Sequence, residues 1–174
     1  AMYHFLSGYT AKIAGTERGV VHPTATFSAC FGAPFLPLRP SVYADLLGDR
    51  LRRHGTTVWL VNTGWTGGGF GTGHRIALGD TRAMVRAILQ GELQAVPYRR
   101  DARFNLDVPT VCPGVTPAIL SPEQTWADGT AYDAQAAELA HLFVAHAVRF
   151  APHVSRAVLD AGPRPSPAVV GTSS

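Results

Sequence analysis

Apolar residues recur at helical spacing in three stretches of this chain, and these stretches predict its main helices. The first helix is expected over residues 41–54, the second over 80–90 and the third over 133–150. In each stretch the apolar positions lie about one helical turn apart, which places them on one face. These positions are Val42, Leu46, Leu47 and Leu51 in the first helix, Met84, Ala87 and Ile88 in the second, and Leu139, Leu142, Phe143, Ala147 and Phe150 in the third.

Residues that favour helix ends flank the first two stretches. Pro40 precedes the first helix and Gly55 follows it, and proline favours the first turn of a helix as glycine favours the position after its end. Asp80 is expected to cap the second helix, because a short acidic side chain accepts hydrogen bonds from the first free N–H groups. Gly91 is expected to end that helix.

The remaining segments have weaker periodicity. A short helical turn is expected over residues 7–14, packed irregular structure or a short strand over 27–38, and short strands with turns over 97–126. A Pro/Ser-rich tail over 161–174 is expected to be disordered and to follow one domain over 1–160. The pattern therefore predicts a mixed α/β (α+β) fold, with helices around a small mixed sheet.

A β-branched and aromatic run over residues 57–61 predicts a buried strand, and a glycine-rich loop over 62–74 follows it. Six of the 18 glycines lie in this loop, where backbone N–H groups could approach an anion closely. The loop contains neither GxxxxGK[ST] nor a strict GxGxxG pattern. Its spacing alone leaves open a nucleotide-phosphate loop and a flexible surface loop.

Composition excludes several classes of protein. The formal charge is +3 and the arginines are scattered, so nucleic-acid binding is not expected. No apolar run reaches the ~20 residues that a transmembrane helix needs. The first residues lack the features of a signal peptide and a clear starting methionine, which indicates a cut chain. Cys30 and Cys112 have no metal-ligand spacing and are expected to be reduced thiols of a cytoplasmic protein.

Few residues suggest chemistry by themselves. The guanidinium of Arg75 could stack on a base or bind ribose and phosphate oxygens, and Thr81 could hydrogen-bond a purine edge. The pattern alone favours the simpler interpretation, a surface arginine and a threonine at the start of a helix. Lys12, Glu17 and Arg18 form a charged cluster beside glycines, which is typical of a mobile loop or of a solvated turn.

Four groups of motifs in a fixed order resemble the C-terminal part of ATP-dependent phosphoenolpyruvate carboxykinases. The resemblance covers nearly everything between residues 3 and 163. The matching runs are YHFLSGYTAK at 3–12 and AGTERG at 14–19, TFSACFG at 26–32, WLVNTGW at 59–65 with Arg75 and Ile76, and DTRA at 80–83, followed by Pro109, PGV at 113–115 and AGP at 161–163.

This resemblance implies part of a nucleotide-binding domain in an enzyme that converts oxaloacetate and ATP to phosphoenolpyruvate, ADP and carbon dioxide in gluconeogenesis. Such enzymes use magnesium with the nucleotide and manganese in the active site. By motif position, Arg75 and Ile76 would flank the adenine and the sugar, and Thr81 would be a further nucleotide contact. Residues 14–23 would form the lid loop, with Lys12, Glu17 and Arg18 as its candidate functional residues.

The family's phosphate-binding loop, its lysine, the metal ligands and the oxaloacetate-binding arginine are expected upstream of this chain. No catalytic residue and no metal ligand is therefore expected within it, apart from the lid candidates. The expected partners are ATP, oxaloacetate and the missing N-terminal part of the same polypeptide. Since phosphoryl transfer depends on cations placed around the γ-phosphate, the 174-residue chain alone is expected to be inactive.

Two departures from the family pattern affect the nucleotide end. The glycine loop over 66–74 is longer than in some members, and Gly79 stands where a basic residue is frequent. Both could change nucleotide affinity without changing the reaction. Two alternatives to an enzyme fragment remain open, a stand-alone nucleotide-binding or interaction module and a structural domain without a ligand.

Overall fold

The computed structural model describes residues 1–12, 24–69 and 71–165, and it is a mixed α+β fold of helices and two-stranded ribbons. One-turn 3-10 helices connect many of these elements. The helices are α1 (Met2–Ser7), α2 (Pro40–His54), α3 (Leu78–Leu89), α4 (Gly129–Ala147) and α5 (Arg156–Asp160). The strands are β1 (Tyr9–Lys12), β2 (Thr24–Phe27), β3 (Trp65–Thr66), β4 (His74–Arg75), β5 (Tyr98–Asp101) and β6 (Leu106–Pro109).

The described strands form three separate antiparallel pairs, β1–β2, β3–β4 and β5–β6, in place of the small mixed sheet expected from the sequence. The strand predicted over 57–61 is wrong, since this segment forms no ladder. Val58 and Leu60 are 45% and 54% exposed. A β-prone segment becomes a strand only beside a partner backbone, and no described strand lies alongside this one.

Helix α2 confirms the predicted element but not its predicted inner face. It covers Pro40–His54, and Gly55 ends it with a φ of 59°. Val42 and Leu46, which belong to the predicted apolar stripe, are 40% and 53% exposed. The buried residues are small ones, Ser41, Ala44 and Gly48, because α1 packs closely against this face.

Helices α3 and α4 were predicted with inaccurate starts. Helix α3 begins at Leu78, so Asp80 lies in its first turn and makes no capping hydrogen bond. Its carboxylate can still interact favourably with the helix dipole. Helix α4 begins at Gly129, four residues before the predicted start, because Asp128 accepts hydrogen bonds from the N–H groups of Thr130 and Ala131. A 3-10 helix over Val148–His153 then includes the predicted end at residue 150.

The N-terminal helical turn predicted over 7–14 is also wrong. Helix α1 ends at Ser7, Gly8 adopts a left-handed φ of 53°, and strand β1 follows. Segment 27–38 confirms the irregular alternative, since two 3-10 helices follow β2. Segment 97–126 contains the expected short strands β5 and β6. Residues 161–165 lie close to α1 through Gly162, and the rest of the predicted tail, 166–174, lies outside the described residues.

Two apolar clusters hold the described part together, but neither encloses a large side chain completely. Helix α1 is central to the first cluster, where the hydroxyl of Tyr3 donates to the carbonyl oxygen of Phe143 over 3.1 Å. None of the described helices is long and apolar enough to cross a membrane. The first cluster contains Tyr3, Leu6, Ala29, Ala44, Phe143, Phe150 and Val158, and the second contains Ala87, Leu93, Cys112, Val115 and Leu120.

Two histidines lie within the aromatic part of the first cluster. The imidazole of His4 lies 5.7 Å from the ring of Phe143, and its buried Nε2 has no hydrogen-bond partner. The ring of His146 stacks on Phe27 at 4.5 Å and contacts the guanidinium of Arg149. Burial lowers the pKa of both histidines to about 4, aided at His146 by the charge of Arg149.

These two histidines predict a loss of stability in mild acid. The folded pKa values lie below the ordinary value of 6.5, so the unfolded chain binds more protons between about pH 6.5 and pH 4. The free energy of unfolding should therefore fall as the pH is lowered through this range. Urea unfolding at pH 7, 6, 5 and 4.5 measures the free energy of unfolding at each pH. Replacement of His146 by phenylalanine should reduce the slope of this free energy against pH. An equal slope in this variant would contradict a contribution from His146.

Candidate functional site

Strands β3 and β4 form a short hairpin that carries Arg75. Trp65 pairs with Arg75 and Thr66 with His74 in antiparallel register. The ladder continues beyond β4, because the N–H of Ile76 donates to the carbonyl oxygen of Gly64 over 3.0 Å. The pairing of His74 with Thr66 and the hydrogen bond from Ile76 to Gly64 therefore fix the backbone on both sides of Arg75.

The glycines of the loop between β3 and β4 allow a tight turn with backbone hydrogen bonds inside the loop. Gly67 and Gly68 have φ values of 74° and 147°, which favour glycine. Gly73 donates its N–H to the carbonyl oxygen of Gly69 over 2.8 Å. A Cβ atom at Gly73 would lie 2.6 Å from the carbonyl oxygen of Thr66. These glycines thus have a structural role in closing the hairpin, whatever ligand the loop contacts.

The three sequence-predicted nucleotide contacts lie on one strand–turn–helix unit. Arg75 is exposed on β4, Ile76 is buried at 8% exposure, and Thr81 is half-buried. Thr81 also closes the first turn of α3, since its N–H donates to the carbonyl oxygen of Ala77. Among the described residues no carboxylate forms an ion pair with Arg75. Its exposure on β4 makes the side chain accessible from solvent.

A large open cavity of about 440 Å³ lies beside this unit, between α3, α4, the β5–β6 pair and the segment before the hairpin. Ile76 lines it, whereas Arg75 and Thr81 do not. Most of the lining is aliphatic or aromatic, which is the usual character of a ligand pocket or of an uncovered core. The lining includes Trp59, Leu60, Trp65, Met84, Ile88 and Tyr132, with Asn62, Arg99 and Asp101 as polar members.

The charged residues around the cavity are largely engaged with one another. Arg99 lies 3.3 Å from the carboxylate of Glu123 and donates to the carbonyl oxygen of Leu120. Arg103 pairs with Asp133 at 2.9 Å. Burial raises the pKa of the Tyr132 hydroxyl, and the nearby carboxylates of Asp101 and Glu123 raise it further. Tyr132 therefore remains a neutral hydrogen-bond donor at this cavity at neutral pH.

Sequence reasoning identified the strand–turn–helix unit but missed the cavity. The periodicity of α3 indicated that Met84 and Ile88 face inwards, and both line the cavity. Nothing in the local sequence showed that Tyr132 on α4 would lie across from them. A cavity formed by residues distant in sequence requires the tertiary structure.

The lid candidates fall at the edge of the described part. Lys12 ends β1, where it pairs with Thr24, and Glu17 and Arg18 lie outside the described residues. Within the described ranges no group of three or more His, Cys, Asp or Glu side chains could hold a metal ion.

Comparison with known proteins gives one consistent family. The family model for phosphoenolpyruvate carboxykinase matches residues 1–118. The phosphoenolpyruvate carboxykinase (ATP) of Thermus thermophilus is 57% identical over 164 residues, which cover 94% of this chain and 31% of that protein. The corresponding proteins of Sinorhizobium medicae and Rhizobium meliloti are 56% and 57% identical over 94% of this chain and 30% of each protein. The chain thus spans about 30% of the length of these relatives.

Proposed function

Because the chain belongs to the phosphoenolpyruvate carboxykinase family, we propose that it forms the part of an ATP-dependent carboxykinase that holds the adenosine end of ATP. The observation that carries this proposal is the unit formed by β4 and α3. It presents the exposed guanidinium of Arg75, which forms no ion pair with a described carboxylate, directly beside a buried aliphatic residue, Ile76, that lines an apolar cavity.

Each of the three residues can make a contact at the adenosine end of ATP. The planar guanidinium of Arg75 can stack on the base or donate in parallel to ribose and phosphate oxygens. Ile76 offers an apolar contact for the base, because its side chain already faces the cavity. The hydroxyl of Thr81 can donate to or accept from the base edge or the ribose.

The whole enzyme would convert oxaloacetate and ATP to phosphoenolpyruvate, ADP and carbon dioxide, in the cytoplasm and as an entry step of gluconeogenesis. Magnesium would accompany the nucleotide and manganese would act at the reacting groups, held by residues outside this chain. We assign Lys12, Glu17 and Arg18 to the lid over the nucleotide. The described residues contribute no step at the γ-phosphate.

Exposed apolar surface supports the proposal that another part of the same polypeptide covers this one. On α2, Val42 and Leu46 face outwards, and Leu60 is 54% exposed on the unpaired segment before the hairpin. On α3, Leu89 is 80% exposed. These exposed apolar side chains lie on three separate elements, and their burial against other parts of a longer polypeptide would remove this apolar area from water. The remaining length of the carboxykinase relatives would provide the covering structure.

The separate 174-residue chain is expected to show no carboxykinase activity. Phosphoryl transfer needs cations and hydrogen-bond donors around the γ-phosphate, and this chain spans only about 30% of the length of its carboxykinase relatives. A coupled assay that follows ATP-dependent loss of oxaloacetate tests this expectation. The control is the longest polypeptide from the source cells that carries this sequence, which should be active. Turnover by the separate chain would overturn the division of roles proposed here.

A further inference from the structure

The hydroxyl group of Thr125 connects the hairpin β3–β4 to a distant part of the chain. It lies 2.8 Å from the hydroxyl oxygen of Thr66 and accepts a 3.0 Å hydrogen bond from the N–H of Gly67. It also donates to the carbonyl oxygen of Pro122 over 2.8 Å. A hydroxyl has one proton and two lone pairs, so these three contacts satisfy it completely when Thr66 is the donor.

This contact is placed where it can fix the hairpin. Thr66 is 7% exposed and pairs with His74, the neighbour of Arg75 on β4. Strands β3 and β4 have only two residues each, with one further backbone hydrogen bond from Ile76 to Gly64, and a two-stranded hairpin is marginally stable without outside support. Thr125 gives such support from 59 residues away in sequence.

We propose that Thr125 is a positioning residue for nucleotide binding, which holds the hairpin so that Arg75 faces the adenosine. The inference rests on the proposed function, because it needs Arg75 to contact the nucleotide. Thr125 itself touches β3 and the loop, and it acts on Arg75 through the paired strand. The same contact limits movement of the loop between β3 and β4 at its first residue, Gly67.

Two substitutions separate the hydroxyl from the shape of the side chain. Thr125→Val keeps the branched shape but removes the donor and both acceptor contacts, whereas Thr125→Ser keeps the hydroxyl. In the purified full-length polypeptide that carries this sequence, calorimetry with MgATP should show about three- to tenfold weaker binding for Thr125→Val. Thr125→Ser should bind within about twofold of the unchanged protein. The KM for oxaloacetate should stay unchanged in both variants.

A double-variant cycle with Arg75→Ala links the effect to the arginine. If Thr125 acts through Arg75, Thr125→Val should weaken ATP binding much less in the Arg75→Ala background than in the unchanged protein. Thermal unfolding of each variant shows whether it is folded. A lowered Tm with unchanged ATP affinity in Thr125→Val would overturn the inference and leave the proposed function intact. Unchanged affinity in Arg75→Ala would instead overturn the proposed function.

Discussion

Replacement of Arg75 by alanine is expected to weaken ATP binding by roughly 10- to 100-fold, while the protein remains folded. The estimate corresponds to the loss of a hydrogen bond to a charged group together with stacking on a base. Arg75 is exposed and has no described ion-pair partner, so its removal leaves no buried charge unpaired. Calorimetry with MgATP on the full-length polypeptide gives the affinity, and circular dichroism checks the fold.

Two further variants make this measurement specific. Arg75→Lys keeps the charge but loses the planar surface and the parallel donors, so its affinity should lie between those of the unchanged protein and Arg75→Ala. Arg86→Ala removes an exposed arginine in the last turn of α3 and should leave the affinity for ATP unchanged. Equal losses in Arg75→Ala and Arg86→Ala would indicate a general charge effect and contradict a nucleotide contact at Arg75.

Replacement of Gly8 by alanine is expected to lower the free energy of unfolding by more than about 3 kcal/mol or to prevent folding. Gly8 has a φ of 53°, and a Cβ atom there would overlap the carbonyl oxygen of Ser28 and lie 2.6 Å from its carbon. Both atoms belong to backbone that pairs with Gly8, since the N–H of Ser28 donates to the carbonyl oxygen of Gly8. A shift of either segment would break this hydrogen bond next to the β1–β2 ladder.

Gly55 offers a matched control for this prediction. It also has a left-handed φ, 59°, but nothing lies within 4 Å of a Cβ atom built there. Gly55→Ala should therefore cost only about 1–2 kcal/mol, the conformational penalty without a collision. Urea unfolding of both variants gives the comparison. Similar losses at the two glycines would show that backbone conformation, and not the contact with Ser28, determines the effect at Gly8.

The sequence predicted helices where the local signals act alone. The proline at position 40 and the glycine at position 55 define α2 because both act on the backbone of neighbouring residues. The inner face of α2 could not be predicted in this way. Gly48 packs against Met2, whose Sδ atom would lie 2.6 Å from a Cβ atom at that position, and only the tertiary structure shows that contact.

Segment 57–61 shows the opposite case, in which the side chains predict a strand that the described chain cannot form. Its β-branched and aromatic residues match a strand, but a ladder needs the N–H and carbonyl groups of a neighbour. Trp59 and Leu60 line the open cavity instead. An additional strand from another part of the polypeptide would satisfy this backbone and cover these side chains, in agreement with the proposed division of the enzyme.

Only the part of the candidate site that lies in one continuous stretch of sequence could be predicted. Arg75, Ile76 and Thr81 were proposed from the family resemblance of two runs that are close in sequence, and the structure places them on a single strand–turn–helix unit. Thr125 gave no sequence signal, because a threonine after a one-turn helix is common and its partner Thr66 is distant. The cavity lining combines α3, α4 and the β5–β6 pair, whose contacts no local pattern specifies.

The most direct test of the central claim is the reaction of the native polypeptide that contains these residues. This polypeptide would be isolated from its source cells and its mass would be measured. Its conversion of oxaloacetate to phosphoenolpyruvate would then be followed with and without ATP. The proposed function predicts a species roughly three times heavier than 18.5 kDa that forms phosphoenolpyruvate only with ATP. A purified species of that size without ATP-dependent turnover, or a native species of 18.5 kDa alone, would contradict it.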